Sequence, residues 1–260
     1  MIDISTKLNF ELWRTLTKLY LSDPTTHVYL MYDLIYELDK TSVLLNVEDR
    51  VSGYVLIWRG MRSAGVHVWG EAHSLIKHIP RDVNMVIHVY SNDLFEPILN
   101  HLKGYGNVSI WNYLDMIVDE ASFKPYMPDR AVRLNSSKIS DFIELKKVQG
   151  RMLTFEDALK SLENWRYYGV YADDVLASIA CTYVRMPEIW MIGDVYTKPE
   201  FRGRGFAKIA TSAITRDAIN SGAKAMLHVR EDNLPAIKVY ENLGYKKIRS
   251  KKWIYFTPFS

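Results

Sequence analysis

A glycine-rich segment between a strand and a long helix constrains the fold of this chain more than any other feature. The apolar residues of Ile189–Thr197 predict a strand, Pro199 predicts a turn, and a helical pattern runs from about Gly205 to Asn220. Two glycines flank Arg204, and glycine lets a backbone come close to a ligand. The first amides of a helix have no partner within the helix and carry a partial positive charge. The segment therefore predicts a site for phosphate oxygens.

The spacing of the glycines excludes two common nucleotide-binding loops. A Walker loop has the pattern Gly-x4-Gly-Lys-Ser/Thr, which the sequence lacks. A dinucleotide fingerprint has a third glycine three residues after the second, and Lys208 occupies that position. Arg202 and Arg204 add positive charge before the helix, although a turn with two solvated arginines is an alternative interpretation of the same residues.

Strands alternate with helices along the chain, a pattern that is typical of a mixed α/β sheet. The segment Lys124–Asp129 has two prolines and no periodicity, so it predicts a boundary between two domains, 1–125 and 126–260. In the first domain, Asp23-Pro24 divides a helical region into two helices. The other elements expected there are strands at 42–47, 51–58, 65–69, 84–90 and 108–118 and helices at 71–78 and 93–103.

The second domain repeats this order of elements. Thr154 and Asp157 have the spacing of a helix cap, and Asp173-Asp174 predicts the turn of a hairpin. Besides the strand and helix of the glycine-rich segment, we expect strands at 132–134, 167–172, 175–185, 225–230, 245–249 and 252–256 and helices at 138–149, 155–165 and 235–243.

A shift of the chain by 140 residues brings similar segments of the two domains together. His88-Val89 then aligns with His228-Val229, within a stretch that needs no gap from 85 to 105. The shared order of elements and these identities favour an internal duplication. The same shift places Asn100 opposite Tyr240.

Composition excludes several classes of protein. The chain is 48% hydrophobic and 24% charged, which is typical of a globular protein with a buried core. Cys181 is the only cysteine, so an internal disulfide is excluded, and no Cys/His spacing resembles a metal site. The net charge is −4 over residues 1–125 and +7 over residues 126–260. The positive half suits a phosphorylated ligand, a nucleic acid or no ligand at all.

The sequence gives no sign of membrane insertion or secretion. Its longest apolar stretch, 175–184, has ten residues, which is too few to span a bilayer. The N-terminal residues lack a basic segment followed by an apolar one. We therefore expect a cytoplasmic protein without a membrane partner.

Two motifs in the second domain resemble those of the GNAT superfamily, the acyl-coenzyme A-dependent N-acyltransferases. Arg202-x-x-Gly205-x-Ala207 resembles the family's Arg/Gln-x-x-Gly-x-Gly/Ala signature. The second motif, Asn-x6-Tyr-x3-Gly-Phe/Tyr, is matched by Asn233, Tyr240, Gly244 and Tyr245. The resemblance implies a mixed α/β fold of two tandem GNAT-like domains. The first would be degenerate, and the second would have the full acyl-coenzyme A-binding motif.

The resemblance also implies how acetyl-coenzyme A, the co-substrate, would bind. The backbone of Val195, Tyr196 and Thr197 would bind the pantetheine arm, at an edge between two strands that diverge. Asn233 would contact the coenzyme or order its loop, although a helix N-cap ahead of Pro235 explains this residue equally well. The pyrophosphate would be held by Arg202 and by the backbone amides of Gly203, Arg204, Gly205, Phe206, Ala207 and Lys208.

Two catalytic roles follow from the same resemblance. Tyr240 would protonate the departing thiolate, since a phenol with an ordinary pKa of about 10 keeps its proton at pH 7. The alternative is an aromatic residue packed in the core. Many members of the family have a glutamate in the strand before the signature, where this chain has Met191. Asp194 is therefore the candidate base, directly or through water. Otherwise water alone takes the proton, or Asp194 binds the ammonium of the substrate.

The implied function is the transfer of an acetyl group from acetyl-coenzyme A to a primary amine of a small molecule or amino acid, by direct attack in a ternary complex. Three alternatives stay open: acetylation of a protein or peptide N-terminus, acyl transfer to glycine, and a non-catalytic acyl-coenzyme A sensor. We expect one coenzyme per chain, no metal and no nucleic acid. The amine acceptor, the acyl-chain preference and the oligomeric state stay open.

Overall fold

The computed structural model describes residues 2–3, 8–60 and 62–259. The chain divides into two compact units: unit 1 comprises residues 1–113 and 250–260, and unit 2 comprises residues 114–249. These divisions differ from the boundary expected at 125/126. The division at 113/114 lies inside the strand Gly106–Val118, and the division at 249/250 lies inside the strand Lys246–Pro258. No proline or glycine stands next to either division.

Two helices open unit 1 at side-chain caps. Helix α1 (Phe10–Ser22) begins after Asn9, whose side chain accepts from the Leu12 amide at 2.9 Å. Helix α2 (Pro24–Tyr36) begins after Asp23, whose carboxylate accepts from the Thr26 amide at 3.2 Å. Proline fits the first turn of a helix because its missing N–H would have no partner there. The division of this region at Asp23-Pro24 is therefore as expected.

Unit 1 also contains a mixed sheet. Its elements in chain order are β1 (Ile2–Asp3), β2 (Thr41–Val47), β3 (Val51–Trp58), β4 (Ala64–Gly70), β5 (Met85–Val89), helix α3 (Phe95–Leu102) and the first part of β6 (Gly106–Val118). Strands β1 to β4 pair in antiparallel order, and β5 pairs with β4 in parallel. The end of the chain completes this sheet, because residues 253–256 pair antiparallel to β5.

The helix expected at 71–78 is a short 3₁₀ helix, His73–His78. Gly70, with φ +68°, and Pro80 enclose this short segment, and 3₁₀ helices are typical of such short connections. Its buried side chains Leu75 and Ile76 join the apolar cluster on one face of the unit 1 sheet.

Unit 2 is a second mixed sheet with helices on both faces. Its elements in chain order are the last part of β6, β7 (Val132–Arg133), α4 (Ile139–Val148), α5 (Phe155–Asn164), β8 (Arg166–Ala172), β9 (Val175–Arg185), β10 (Ile189–Thr197), α6 (Phe206–Asn220), β11 (Lys224–Arg230), α7 (Leu234–Asn242) and the first part of β12 (Lys246–Pro258). The order in the sheet is β6-β11-β10-β9-β8-β7.

Two apolar clusters hold the helices of unit 2 against its sheet. One contains buried side chains of α6 and α7 together with Ile192, Leu227 and Val229. The other, on the opposite face, contains side chains of α4 and α5 together with Ile179 and Cys181. Because side chains alternate along a strand, β8, β9 and β10 contribute to both clusters. Cys181 is fully buried, as its apolar surroundings in the sequence predict.

Candidate functional site

Strands β10 and β11 run side by side for only part of their length. Their parallel pairing extends from Ile189↔Lys224 to Ile192↔Leu227 and stops there. On its other side β10 continues to pair with β9, across a β-bulge between Gly193 and Tyr196. The backbone of β10 after Ile192 therefore has an edge outside the ladder with β11. The edge predicted to bind pantetheine, residues 195–197, lies in this stretch.

The bulge depends on an unusual backbone conformation at Asp194. Its φ of +49° lies in the left-handed region, where aspartate is tolerated better than most residues other than glycine. The extra residue turns the strand away from a regular ladder and increases its local twist. The bulge therefore lies where β10 leaves β11.

Helix α6 begins after the bulged strand without a side-chain cap. Its N-cap residue is Gly205, with φ +81°, and Gly203 has φ +77°. Both glycines occupy a conformation that disfavours any side chain. The first-turn amides of Phe206, Ala207 and Lys208 point out of the helix start, as in any α-helix. This geometry has the features of an anion site, as the sequence predicts.

Three cations surround this helix start. Arg202 is exposed, and its Nε donates to the carbonyl of Thr197 at 3.3 Å, which ties the loop to the end of β10. The guanidinium of Arg204 lies 5.1 Å from the ring centre of Phe206. Lys208 places its Nζ 4.1 Å from the ring centre of Tyr126. These side chains lie within reach of a phosphate group that approaches the amides.

Asn233 is the N-cap of α7. Its Oδ1 accepts from the Ala236 amide at 3.3 Å, with Pro235 in the first turn. The capping interpretation of Asn233 is therefore correct, and its contact with a coenzyme stays a prediction.

Tyr240 lies in the apolar cluster between α7 and the sheet, 7% exposed, with its ring centre 5.9 Å from that of Tyr245. Burial raises the pKa of its phenol above the ordinary value. The hydroxyl of Tyr245 bonds that of Thr215 at 2.7 Å, whereas no residue in the described part of the chain hydrogen-bonds the hydroxyl of Tyr240. Tyr240 is therefore packed in the core, as the alternative interpretation expects. Its phenol also keeps its proton at pH 7.

Asp194 lies in a buried network of donors. Its carboxylate contacts the Lys146 ammonium, accepts from Gln149 Nε2 at 2.9 Å and from the Tyr167 hydroxyl at 2.7 Å, and lies 3.4 Å from Arg151 Nη1. Burial favours a higher pKa for Asp194, but Lys146 and then Arg151 hold it below its usual value. A carboxylate with a lowered pKa is a weaker acceptor of an ammonium proton. The contacts give Asp194 a structural role, and its role as the base stays a prediction.

A second buried polar group was missed by the sequence analysis. The Nδ1 of His228 lies 2.6 Å from Asp115 Oδ1, and Arg249 Nε donates to the other oxygen of that carboxylate at 2.6 Å. His228 on β11 is the first residue beyond the last pair, Ile192↔Leu227. The available signal was a histidine between the apolar residues 227 and 229, which predicts a polar side chain on the opposite face of the strand.

The geometry of this pair defines which imidazole nitrogen donates. A carboxylate only accepts, so Nδ1 carries the proton in that hydrogen bond. Leu227 and Val229 pack in the cluster that contains Tyr240. Since side chains alternate along a strand, His228 projects from the opposite face. Tyr240 thus packs against one face of the unit 2 sheet, and His228 projects from the other face.

The structure gives no sign of two other kinds of site. Within residues 2–3, 8–60 and 62–259, no group of three or more His, Cys, Asp or Glu side chains is placed to hold a metal ion. Over those same residues, none of the helices has the length and apolarity to cross a membrane.

Comparison with known proteins supports these features at the level of the fold. Residues 167–254 match the family described as FR47-like protein. No curated protein matches the sequence. A Drosophila protein of known structure has a TM-score of 0.72 at 13% identity, over 97% of this chain and 98% of its own.

Two further solved structures cover nearly the whole chain. A GCN5-related N-acetyltransferase-like protein from Streptococcus suis has a TM-score of 0.66 at 15% identity, over 95% of this chain and 99% of its own. A tandem GNAT protein from the clavulanic acid biosynthesis pathway has a TM-score of 0.60 at 16% identity, over 96% and 95%. At these identities the likeness concerns the fold.

Proposed function

The chain has the fold of the GNAT superfamily in its tandem form, and from this premise we propose that unit 2 transfers an acetyl group from acetyl-coenzyme A to a primary amine of a small molecule or amino acid. One observation carries the proposal: β10 leaves β11 after Ile192 and leads directly to the uncapped start of α6. An extended thioester needs both features, an open strand edge for its arm and a cradle of amides for its pyrophosphate.

In this proposal the chain holds the coenzyme with backbone groups. The edge at Val195, Tyr196 and Thr197 pairs with the pantetheine arm. The amides from Gly203 to Lys208 bind the pyrophosphate, and Arg202 and Arg204 add positive charge. Backbone donors suit this task because they are fixed by the fold and need no reorganisation when the ligand binds.

Two side chains then manage the protons of the transfer. The amine nitrogen attacks the thioester carbon, the C–S bond breaks, and the sulfur leaves as a thiolate. We assign His228 as the acceptor of the proton that the amine loses, with Asp115 holding its Nδ1–H. Tyr240 donates its proton to the thiolate. Solvent then returns a proton to the phenolate and removes one from the imidazolium.

Arg249 sets the charge around this base. Asp115 is fully buried and lies against both His228 and Arg249. The guanidinium offsets the charge of the buried carboxylate and, together with Nδ1 of His228, it occupies both carboxylate oxygens.

A thiol-release assay tests the proposed function. The protein is incubated with acetyl-coenzyme A and a panel of alkylamines and amino acids, and free coenzyme A is followed with a thiol reagent. Release that depends on both the amine and the protein, with the acetylated amine found by mass spectrometry, supports the proposal. Binding of acetyl-coenzyme A without turnover on any amine would favour the non-catalytic sensor instead.

A further inference from the structure

The open edge of β10 is held by contacts with one helix, α4. Three residues of β10 and the loop after it, Asp194, Tyr196 and Lys198, alternate along the chain, and each contacts the last two turns of α4. Asp194 contacts Lys146, the Tyr196 hydroxyl donates to the carbonyl of Val148 at 3.2 Å, and Lys198 Nζ lies 3.1 Å from Glu144 Oε1. We call these three contacts the α4–β10 seam.

The contact between Lys146 and Asp194 is the buried part of the seam. Their side chains are 2% and 8% exposed, whereas Glu144 is 69% exposed, so water screens the third contact far more than the first. Lys146 also donates to Gln149 Oε1 at 3.1 Å, and Gln149 donates in turn to Asp194. The ammonium and the carboxylate therefore hold each other and the end of α4 in one arrangement.

The buried pair of Lys146 and Asp194 includes the residue at which β10 forms its bulge. Asp194 has φ +49°, and a non-glycine residue stays in that region only when its surroundings hold it there. Its four donors come from α4, from the residues just after α4 and from β8, and together they fix both carboxylate oxygens. The orientation of the next peptide groups, 195–197, follows from the bulge.

We propose that Lys146 is a positioning residue for acyl-coenzyme A: through Asp194 it holds the bulge that aims the β10 backbone at the pantetheine arm. The inference rests on the proposed function and adds a residue that touches neither coenzyme nor acceptor. Lys146 affects the binding of ligands that have a pantetheine arm and leaves the binding of the pyrophosphate unchanged.

The test compares two probes on the full chain by calorimetric titration. Coenzyme A has the pantetheine arm, and 3′-phospho-ADP has the pyrophosphate without it. In Lys146→Met we expect the affinity for coenzyme A to fall about 10- to 100-fold, as for other small misplacements of binding groups, with the affinity for 3′-phospho-ADP unchanged. Lys147→Met is the matched control, because Lys147 is the exposed neighbour on the same helix. It should leave both affinities unchanged.

A second variant keeps the test decisive if the single substitution unfolds the chain. Lys146→Met combined with Asp194→Asn removes the buried charge together with its partner, and it should fold and show the same selective loss. An unchanged affinity for coenzyme A in a folded variant, or an equal loss for both probes, would overturn the positioning role. If the wild-type protein binds 3′-phospho-ADP and not coenzyme A, or binds neither, the proposed function fails and the role of Lys146 fails with it.

Discussion

At the scale of single residues, burial affects both the pKa of Tyr240 and the stability of the thiolate that it would protonate. Its raised pKa makes the free phenol a weaker donor, yet the same apolar surroundings also disfavour a thiolate. A proton transfer that removes the charge from sulfur is helped by both effects. In the proposed reaction, Tyr240 would therefore be useful as an acid because the leaving group is desolvated together with it.

Tyr240→Phe separates this role from packing. The ring stays, and no hydrogen bond in the described part of the chain is lost, so the free energy of unfolding should change by less than about 1 kcal/mol. Turnover should fall about 100- to 10,000-fold, with little change in the affinity for acetyl-coenzyme A. Steady-state kinetics, titration and thermal melting measure the three quantities. Full turnover under conditions where chemistry limits the rate would remove Tyr240 from the mechanism.

His228→Asn tests the base. The Asn amide can still donate to Asp115 from the position of Nδ1, but it has no basic nitrogen in place of Nε2. With an alkylamine, which is an ammonium ion at pH 7, turnover should fall at least about 100-fold. With O-methylhydroxylamine, which is already neutral, the fall should be much smaller.

The matched control for this variant is His88→Asn, at the position that aligns with His228 in unit 1. It should leave turnover on both acceptors near the wild-type level, provided that melting shows a folded protein. Equal losses on the alkylamine and the neutral acceptor in His228→Asn would contradict a role in deprotonation.

The same residues show which contacts a sequence does not predict. The candidate acid and the candidate phosphate loop could be named from the sequence because their motifs are short and local. The partners of Asp194 and His228 are distant along the chain: Lys146 lies 48 residues from Asp194, and Asp115 lies 113 residues from His228. Neither separation corresponds to a local pattern. The sequence therefore offered Asp194 as the nearest carboxylate and could not show that it was already paired.

At the scale of elements, the start of α6 gives the sharpest prediction. In Gly205→Val a β-branched side chain enters a left-handed conformation beside the amides proposed to bind pyrophosphate. The strain should cost about 1–2 kcal/mol of stability, and affinity for coenzyme A should be lost. Gly222→Val is the matched control. Gly222 has φ +86° just beyond the other end of the same helix, so it brings similar strain far from the loop.

In this comparison the control should lose stability and keep its affinity. Melting temperatures and titrations of the two variants with coenzyme A give the answer. Similar affinities in both would show that the loop is only a turn, which is the alternative that the sequence leaves open.

Most elements were predictable because their signals are local. The strands Val51–Trp58 and Ile189–Thr197 lie at their expected bounds, since turn residues enclose each apolar run. Two strands expected at 245–249 and 252–256 form one, Lys246–Pro258. The polar residues between them suggested a break, but a strand between two paired neighbours tolerates them. Whether two short strands join into one depends on pairing across the sheet, which the sequence of a single segment does not show.

At the scale of the whole molecule, binding of the coenzyme should stabilise the native state. A ligand that binds only the folded protein adds about 2.7 kcal/mol at 100 times its dissociation constant. For a chain of 260 residues this raises the melting temperature by about 5 °C if the unfolding is cooperative. Differential scanning fluorimetry with and without acetyl-coenzyme A measures the shift. No shift at millimolar coenzyme would contradict binding altogether.

The two units differ in the features that binding requires. In unit 1 the parallel pair β4–β5 stays paired from Ala64↔Met85 to Val68↔Val89, the last residue of β5. Strand β4 runs only two residues beyond this pairing, whereas β10 runs five residues beyond Ile192. A short 3₁₀ helix, His73–His78, occupies the place that α6 has in unit 2. Asn100, opposite Tyr240 in the duplicated register, is exposed.

We therefore expect one coenzyme per chain, bound by unit 2. Calorimetric titration of the wild-type protein should give a stoichiometry of one, and Gly205→Val should remove that site without revealing another. A duplicated chain that kept both sites would bind two, because each copy would need only its own strand edge and helix start. A stoichiometry of two, or a site that survives Gly205→Val, would show that unit 1 binds coenzyme by a geometry other than the diverging strands and uncapped helix of unit 2.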